Sequence, residues 1–204
     1  MKLQVDGKFL HSLVSDNSER AGAFCEAVIL AGGKSSRMGK DKCSINLGGG
    51  TLLSHVKKAL MSVGFDPYVL VDDLQPGLGP IGGVATALKK SDSFCIMFFG
   101  CDMPFLSAEL LNDFFKAAMQ VESAIFTKHS KGLGFPFLIY RKNLLKVQEQ
   151  IDKGEFSLQR LARSLSARSW VPSRRFESQL FNINSPEDLI EAKLRIDEGE
   201  YEFI

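Results

Sequence analysis

Four apolar residues, Ala27 to Leu30, run without interruption into Ala31-Gly32-Gly33 and then into a stretch carrying Lys34, Arg37, Lys40 and Lys42. That junction constrains the fold more than any other feature of the chain. An uninterrupted apolar run this short reads as a strand buried on both faces, as in a parallel sheet. Residues 31–42 are too rich in Gly, Ser and Lys to extend it, and have the composition of a turn wrapped around an anion. Gly32, Gly33 and Gly39 let backbone approach a ligand closely. Consecutive N–H groups in such a loop form a nest for phosphate oxygens. Arg37 adds a rigid fork and Lys42 a mobile point charge. A structural glycine turn with solvated cations is the plain alternative. Neither a Gly-Lys-Ser/Thr ending nor the alternating glycines of a dinucleotide fingerprint is present, which removes two widespread phosphate-binding motifs.

The same pattern recurs downstream. Pro67 to Val71 reads as a strand ending at Asp72-Asp73, and Ser93 to Phe99 as a central strand ending at Gly100-Cys101-Asp102-Met103-Pro104. Between them, Pro76 to Gly83 forms a second glycine-rich turn, with a helix following from Val84 to Lys90 and its N-terminus aimed at the pocket. Leu52, Leu53, Val56, Leu60 and Val63 recur at helical spacing behind Gly50 or Thr51 as cap. His55 on that helix reads as a solvated or capping residue. Apolar runs alternating with helices predict an α/β fold whose ligands sit at the carboxyl ends of the strands. Asp102, just past such an end, is placed for a divalent cation; bracing its own loop is the alternative.

The second half is less sharply patterned. Ser123 to Thr127 reads as a short strand, Lys128 to Gly132 as a basic turn, and Gly134 to Tyr140 as a strand whose Pro136 argues for an edge or a bulge. Asn143 to Ile151 and Ser157 to Leu165 read as helices, and Arg168 to Pro172 as a strand. Ser185, Pro186 and Asp188 form a strong helix start close to a capping box.

Composition excludes more than it selects. The chain has 204 residues, 45% hydrophobic and 24% charged, with a net charge of +1, so no global field draws it to nucleic acid or membrane. No run approaches the ~20 apolar residues of a membrane span. Met1 to Leu10 does not read as a secretory signal. Cys25, Cys43, Cys95 and Cys101 lack zinc-site spacing and read as buried thiols of a reducing cytoplasm. With only His11, His55 and His129, none in the glycine loops, histidine-based acyl transfer is disfavoured. Residues 128–175 carry 11 Lys/Arg against 3 Asp/Glu, a section basic enough to face an anion.

Leu30-Ala31-Gly32-Gly33, then Ser35, Arg37-Met38-Gly39 and Asp41-Lys42, resemble the signature of the molybdenum cofactor guanylyltransferases, within the MobA-like nucleotidyltransferases. Gly79-Pro80-Ile81-Gly82-Gly83 is similar to that family's second loop, Asp102-Met103-Pro104 to its Asp-x-Pro, and Asn182-Ile183-Asn184-Ser185-Pro186-Glu187 to its closing motif. The chain departs from the pattern between the first helix and the second loop, where the family has two strands and this sequence has room for one. Asp72 matches the family's aspartate there, with Asp73 as the alternative.

The resemblance implies a three-layer α/β/α Rossmann-like nucleotidyltransferase fold with a mostly parallel central sheet. It implies an N-terminal extension, 1–24, and a single domain, 25–204, with a nucleotide side over about 25–120 and an acceptor side over about 121–190. Leu30, Ala31, Gly32, Gly33, Lys42, Asp72, Gly79, Gly82 and Asp102 would hold the nucleotide, with Asp102 on Mg²⁺ and Arg37, Lys42 and Asp102 as the catalytic set. Asn182 and Asn184 would serve the acceptor or metal side. The implied reaction joins GMP from GTP to the phosphate of molybdopterin or its molybdenum-loaded form. Gly32 stands where guanylyl-transferring members of the resembled family have Leu-Ala-Gly-Gly and cytidylyl-transferring relatives Leu-Ala-Ala-Gly. The resemblance therefore implies GTP with CTP as second choice, and a missing Cβ gives room for a purine. A sugar- or polyol-phosphate nucleotidyltransferase, or a nucleotide-binding homologue without turnover, remains open. The expected setting is a cytoplasmic monomer with nucleotide and pterin substrates, transient contact with cofactor-delivery or enzyme-maturation proteins, and no nucleic acid or membrane partner.

Overall fold

Alternation along the buried strands divides the core in two. In a computed structural model describing residues 25–31, 42–71, 77–130, 132–201 and 203, β1 (Cys25–Leu30) sends Ala27 and Ile29 to one face of the sheet and Val28 to the other. β5 (Cys95–Gly100) does the same with Met97 and Phe99 against Ile96 and Phe98. Both faces are therefore apolar and both must be covered, which forces a layer of helices on each side.

Between these strands lie the β2–β3 hairpin (Asn46–Leu47 and Gly50–Thr51), α1 (Leu52–Ser62), β4 (Tyr68–Leu70) and α2 (Pro80–Lys90). After β5 come α3 (Ala108–Ala118), β6 (Ala124–His129), β7 (Gly132–Tyr140), α4 (Leu144–Asp152), α5 (Leu158–Ser164), β8 (Arg168–Trp170) and α6 (Pro186–Asp197). Among the described residues the sheet has six strands in the order β4-β1-β5-β7-β6-β8, and only β7 runs against its neighbours. Helices α1 and α3 cover one face and α2, α4 and α5 the other, the three-layer arrangement expected from the sequence. A third cluster, built on Leu47, Leu52, Phe105, Ile183 and Ala192, ties α6 and the hairpin to the carboxyl edge of the sheet.

Local chemistry sets the helix starts. Thr51 Oγ1 accepts from Ser54 N at 3.1 Å and Ser107 Oγ from Leu110 N at 3.2 Å, each satisfying an amide the helix leaves open. The full capping box of Ser185 and Asp188 is formed.

Three readings need correction and one alternative is decided. The helix read from Val84 begins at Pro80, because proline suits a first helical position and needs no N–H there. The turn read at Lys128 begins later, since β6 continues through His129. Of the two readings of Pro136, edge or bulge, the bulge is the one found, in an interior strand. It sits where the pairing register shifts, so its missing N–H removes no ladder bond, and Thr127 Oγ1 donates to its carbonyl at 2.6 Å. Phe98, Phe137 and Phe126 stack across three strands beside that shift, with centroids 4.9 and 4.5 Å apart, and hold the register. Finally, His55 is buried: its Nε2 donates to the Leu47 carbonyl at 2.6 Å and its ring stacks on Phe203 at 3.6 Å.

Candidate active site

The carboxyl ends of β1 and β5 lie side by side, with Leu30 opposite Gly100. Ala31 leaves β1 with its N–H donating to Leu70 O at 2.9 Å, so the entry to the first glycine loop is pinned to the sheet. Gly32, Gly33 and Arg37 fall in residues 32–41, and Asp72 in residues 72–76, outside the described structure. So does the extension 1–24.

The chain returns at Lys42, on a short 3-10 turn, where Cys43 Sγ donates to Ala31 O at 3.6 Å. The Lys42 ammonium donates to Asn184 Oδ1 at 2.7 Å and lies 3.7 Å from Asp102 Oδ2. Both Lys42 and Asp102 side chains are 21% exposed, partly withdrawn from water yet reachable from it. Asn184 arrives from the far end of the sequence because Ile183 N–H donates to Asp102 O at 2.9 Å, fastening the closing motif to the Asp102 turn. Asp188 Oδ2 then accepts from Asn184 N at 2.8 Å and Ser185 N at 2.9 Å.

Burial pushes the Asp102 carboxyl above its usual range, and the Lys42 ammonium pulls it partly back. Its negative form is thus costly without a cation at hand, a suitable state for a metal-binding carboxylate. The oxygen donors nearby fit a hard cation: Asp102 and Asn184 already share one positive charge, that of Lys42. Asn182 Oδ1 is buried without a hydrogen-bond partner among the described residues. No group of three His, Cys, Asp or Glu that could hold a metal occurs among the described residues. A hard cation on a single protein carboxylate would keep waters and take phosphate oxygens.

Gly79 caps α2 at φ +63° and is exposed, while Gly82 is buried in the first turn and donates to Gly79 O at 3.1 Å. Since α2 joins two parallel strands, its N-terminus sits at the carboxyl edge of the sheet, where its free amides favour an anion.

Asn182, Asn184 and Asp188 also line a cavity of about 980 Å³, walled across from them by His129, Gly134 and Phe135. Gly134 and Phe135 belong to the segment that reads as a strand in the sequence, whereas His129 carries no role there, although a histidine in a basic turn between two strands is a usable signal. Its Nε2 donates to Phe135 O at 2.6 Å, and burial lowers its pKa despite that carbonyl. The cysteines play no visible part. The hydrogen bond to Cys43, then burial, raise the Cys101 thiol, and burial raises Cys25, so both stay protonated and unreactive.

The MobA-like NTP transferase domain matches residues 27–73 and 66–169. Residues 66–73 fall in both matches. The chain is 31% identical over 194 residues to a probable molybdenum cofactor guanylyltransferase of Opitutus terrae, covering 84% of this chain and 95% of that one. Molybdopterin-guanine dinucleotide biosynthesis protein A from Archaeoglobus fulgidus shares the fold with TM-score 0.69 at 21% identity, over 85% of this chain and 99% of the other. The 2-C-methyl-D-erythritol 4-phosphate cytidylyltransferase of Thermus thermophilus shares it with TM-score 0.64 at 16% identity, over 84% and 98%. With the family domain spanning most of the described sheet, the chain belongs to the MobA-like NTP transferases.

Proposed function

We propose that this nucleotidyltransferase moves GMP from GTP to the phosphate of molybdopterin, or of its molybdenum-loaded form. An oxygen of the acceptor phosphate attacks the α-phosphorus, the bond to the β-phosphate oxygen breaks, and pyrophosphate leaves. An ionised phosphate monoester needs no strong base, so the protein's work is to bring two anions together and stabilise the added charge. The observation that carries this reading is the meeting of Lys42, Asp102 and Asn184 at the end of β1.

Residues to about 120 form the nucleotide side. The backbone from Leu30 through Gly33 and the α2 start at Gly79 and Gly82 cradle phosphates, while Lys42 and Arg37 steady the leaving end. Asp102, with Asn182 and Asn184 on its flank, would hold Mg²⁺, which when bound neutralises phosphate charge and orients the reacting groups. Asp72 is proposed for the ribose. Residues 121–190 form the acceptor side, and the cavity between Asn182 and Phe135 is large enough for a fused-ring phosphate ester. The names carried by the relatives support the guanylyl assignment.

The deciding experiment measures pyrophosphate release with molybdopterin and each of GTP, CTP, ATP and UTP. Release with GTP at least tenfold faster than with CTP is expected; the reverse order would replace GTP by CTP. One observation favours a second reading, a nucleotide-binding homologue without turnover: among the described residues β4 is the sheet edge, where the resembled family's pattern implies a further strand. GTP binding by calorimetry with no pyrophosphate from any acceptor would establish it.

A further inference from the structure

Gly100 ends β5 opposite Leu30 and is buried. It is absent from the glycines with positive φ, so its backbone would accept any residue. Nothing in the turn geometry asks for glycine here. What excludes a side chain is Asp102. A β-carbon built on Gly100 would stand 2.5 Å from Asp102 Oδ1 and 3.6 Å from Asp102 Cγ, while the next neighbour, Phe135 Cδ2, lies at an ordinary 3.7 Å. The carboxylate therefore lies back over the last residue of the strand, in space that only a missing side chain leaves.

We infer that Gly100 is the positioning residue for Asp102: its bare α-carbon lets the carboxylate fold over the end of β5 and point Oδ2 toward Lys42. An added methyl would be relieved at least expense by swinging the carboxylate away. Strand pairing and the Phe135 contact need not change, because Phe135 already stands at contact distance. The expected signature is an intact fold with a displaced carboxylate. Insofar as it concerns a cation, the inference rests on the proposed role of Asp102.

The test uses Gly100→Ala, Asp102→Ala and the double variant in the full chain. Three measurements are made: thermal unfolding, binding of Mn²⁺ alone to the nucleotide-free protein by electron paramagnetic resonance, and pyrophosphate release. Gly100→Ala should keep its Tm within about 3 °C of the parent, a change under ~1 kcal/mol for a chain of this size. It should weaken Mn²⁺ binding about tenfold, equivalent to 1.4 kcal/mol, and lower kcat with KM for GTP nearly unchanged. In the Asp102→Ala background the same substitution should have no further effect, since a residue acting through Asp102 has nothing left to act on. Additive losses, or unchanged Mn²⁺ affinity in Gly100→Ala, would overturn the inference. If Asp102→Ala itself leaves Mn²⁺ binding intact, the cation role of Asp102 fails instead. A crystal structure of metal-free Gly100→Ala then decides the positioning alone: the Asp102 Oδ2 to Lys42 Nζ separation should open beyond 3.7 Å, and an unmoved carboxylate refutes it.

Discussion

Replacing Lys42 with methionine should tighten metal binding while weakening nucleotide binding, and the opposite signs make it the sharpest test of the site. The ammonium stands 3.7 Å from Asp102 Oδ2 and 2.7 Å from Asn184 Oδ1, the place a divalent cation would claim. At that separation and an effective dielectric near 20, the gross attraction to the carboxylate is about 4 kcal/mol. Desolvation and side-chain ordering consume most of it, and solvent screens side chains that are 21% exposed. A net of about 1–2 kcal/mol remains to be displaced by an arriving ion. Lys42→Met should therefore bind Mn²⁺ about 5–30-fold more tightly without nucleotide, by the tenfold-per-1.4 kcal/mol rule. Mildly alkaline pH suits the assay, because losing Lys42 removes the main influence opposing burial and drives the Asp102 carboxyl further up. GTP affinity should fall about tenfold or more through a lost charge-assisted phosphate contact. Mn²⁺ affinity equal to or below that of the parent would refute the claim that the ammonium holds the cation's place.

Asp102→Asn should abolish most Mg²⁺-dependent turnover, by about 100-fold or more, with Tm unchanged or raised because a desolvated carboxylate becomes neutral; pyrophosphate release within about twofold of the parent rejects the role. Ser185→Ala removes the cap of α6 and should cost about 1 kcal/mol, read as a Tm lower by about 2–4 °C, and loosen Asn184 enough to raise KM; an unchanged Tm would mean the capping box is dispensable. Burial holds His55 below its ordinary value, near 6.5 when unfolded. Between those two values the unfolded chain binds a proton the folded chain refuses, so stability is complete above about pH 6.5 and is lost as pH falls through that window. His55→Gln should flatten denaturant-measured stability across it, and an unchanged slope would exclude His55 as a source.

Much of the fold was legible because its determinants are local. Uninterrupted apolar runs mark strands covered on both faces, and each of Cys25–Leu30, Tyr68–Leu70 and Cys95–Gly100 is found as a parallel strand. Thr51 and Ser185 cap where their types and spacing say they should. Asp102 could be singled out because a carboxylate just past a buried strand has little structural use there. His55 was misread for the complementary reason. Its burial depends on Phe203 and on the β2–β3 hairpin folding over it, and neither leaves a mark in the periodicity of α1. Pro136 left edge and bulge both open in the sequence, because an interior strand accepts proline only at a break in register, which is a property of the partner strand.

The sequence alone determined which residue types stand at the strand ends and in the closing motif, and so the kind of chemistry available: amides, cations, carboxylates and asparagines. Only the tertiary structure decided that Lys42 and Asn184, 142 positions apart, share a hydrogen bond over Asp102. Such a contact rests on α6 docking through Ile183 and on the strand order that sets β1 against β5. Pairing across that distance is selected by burial of the whole apolar surface, which no local pattern encodes.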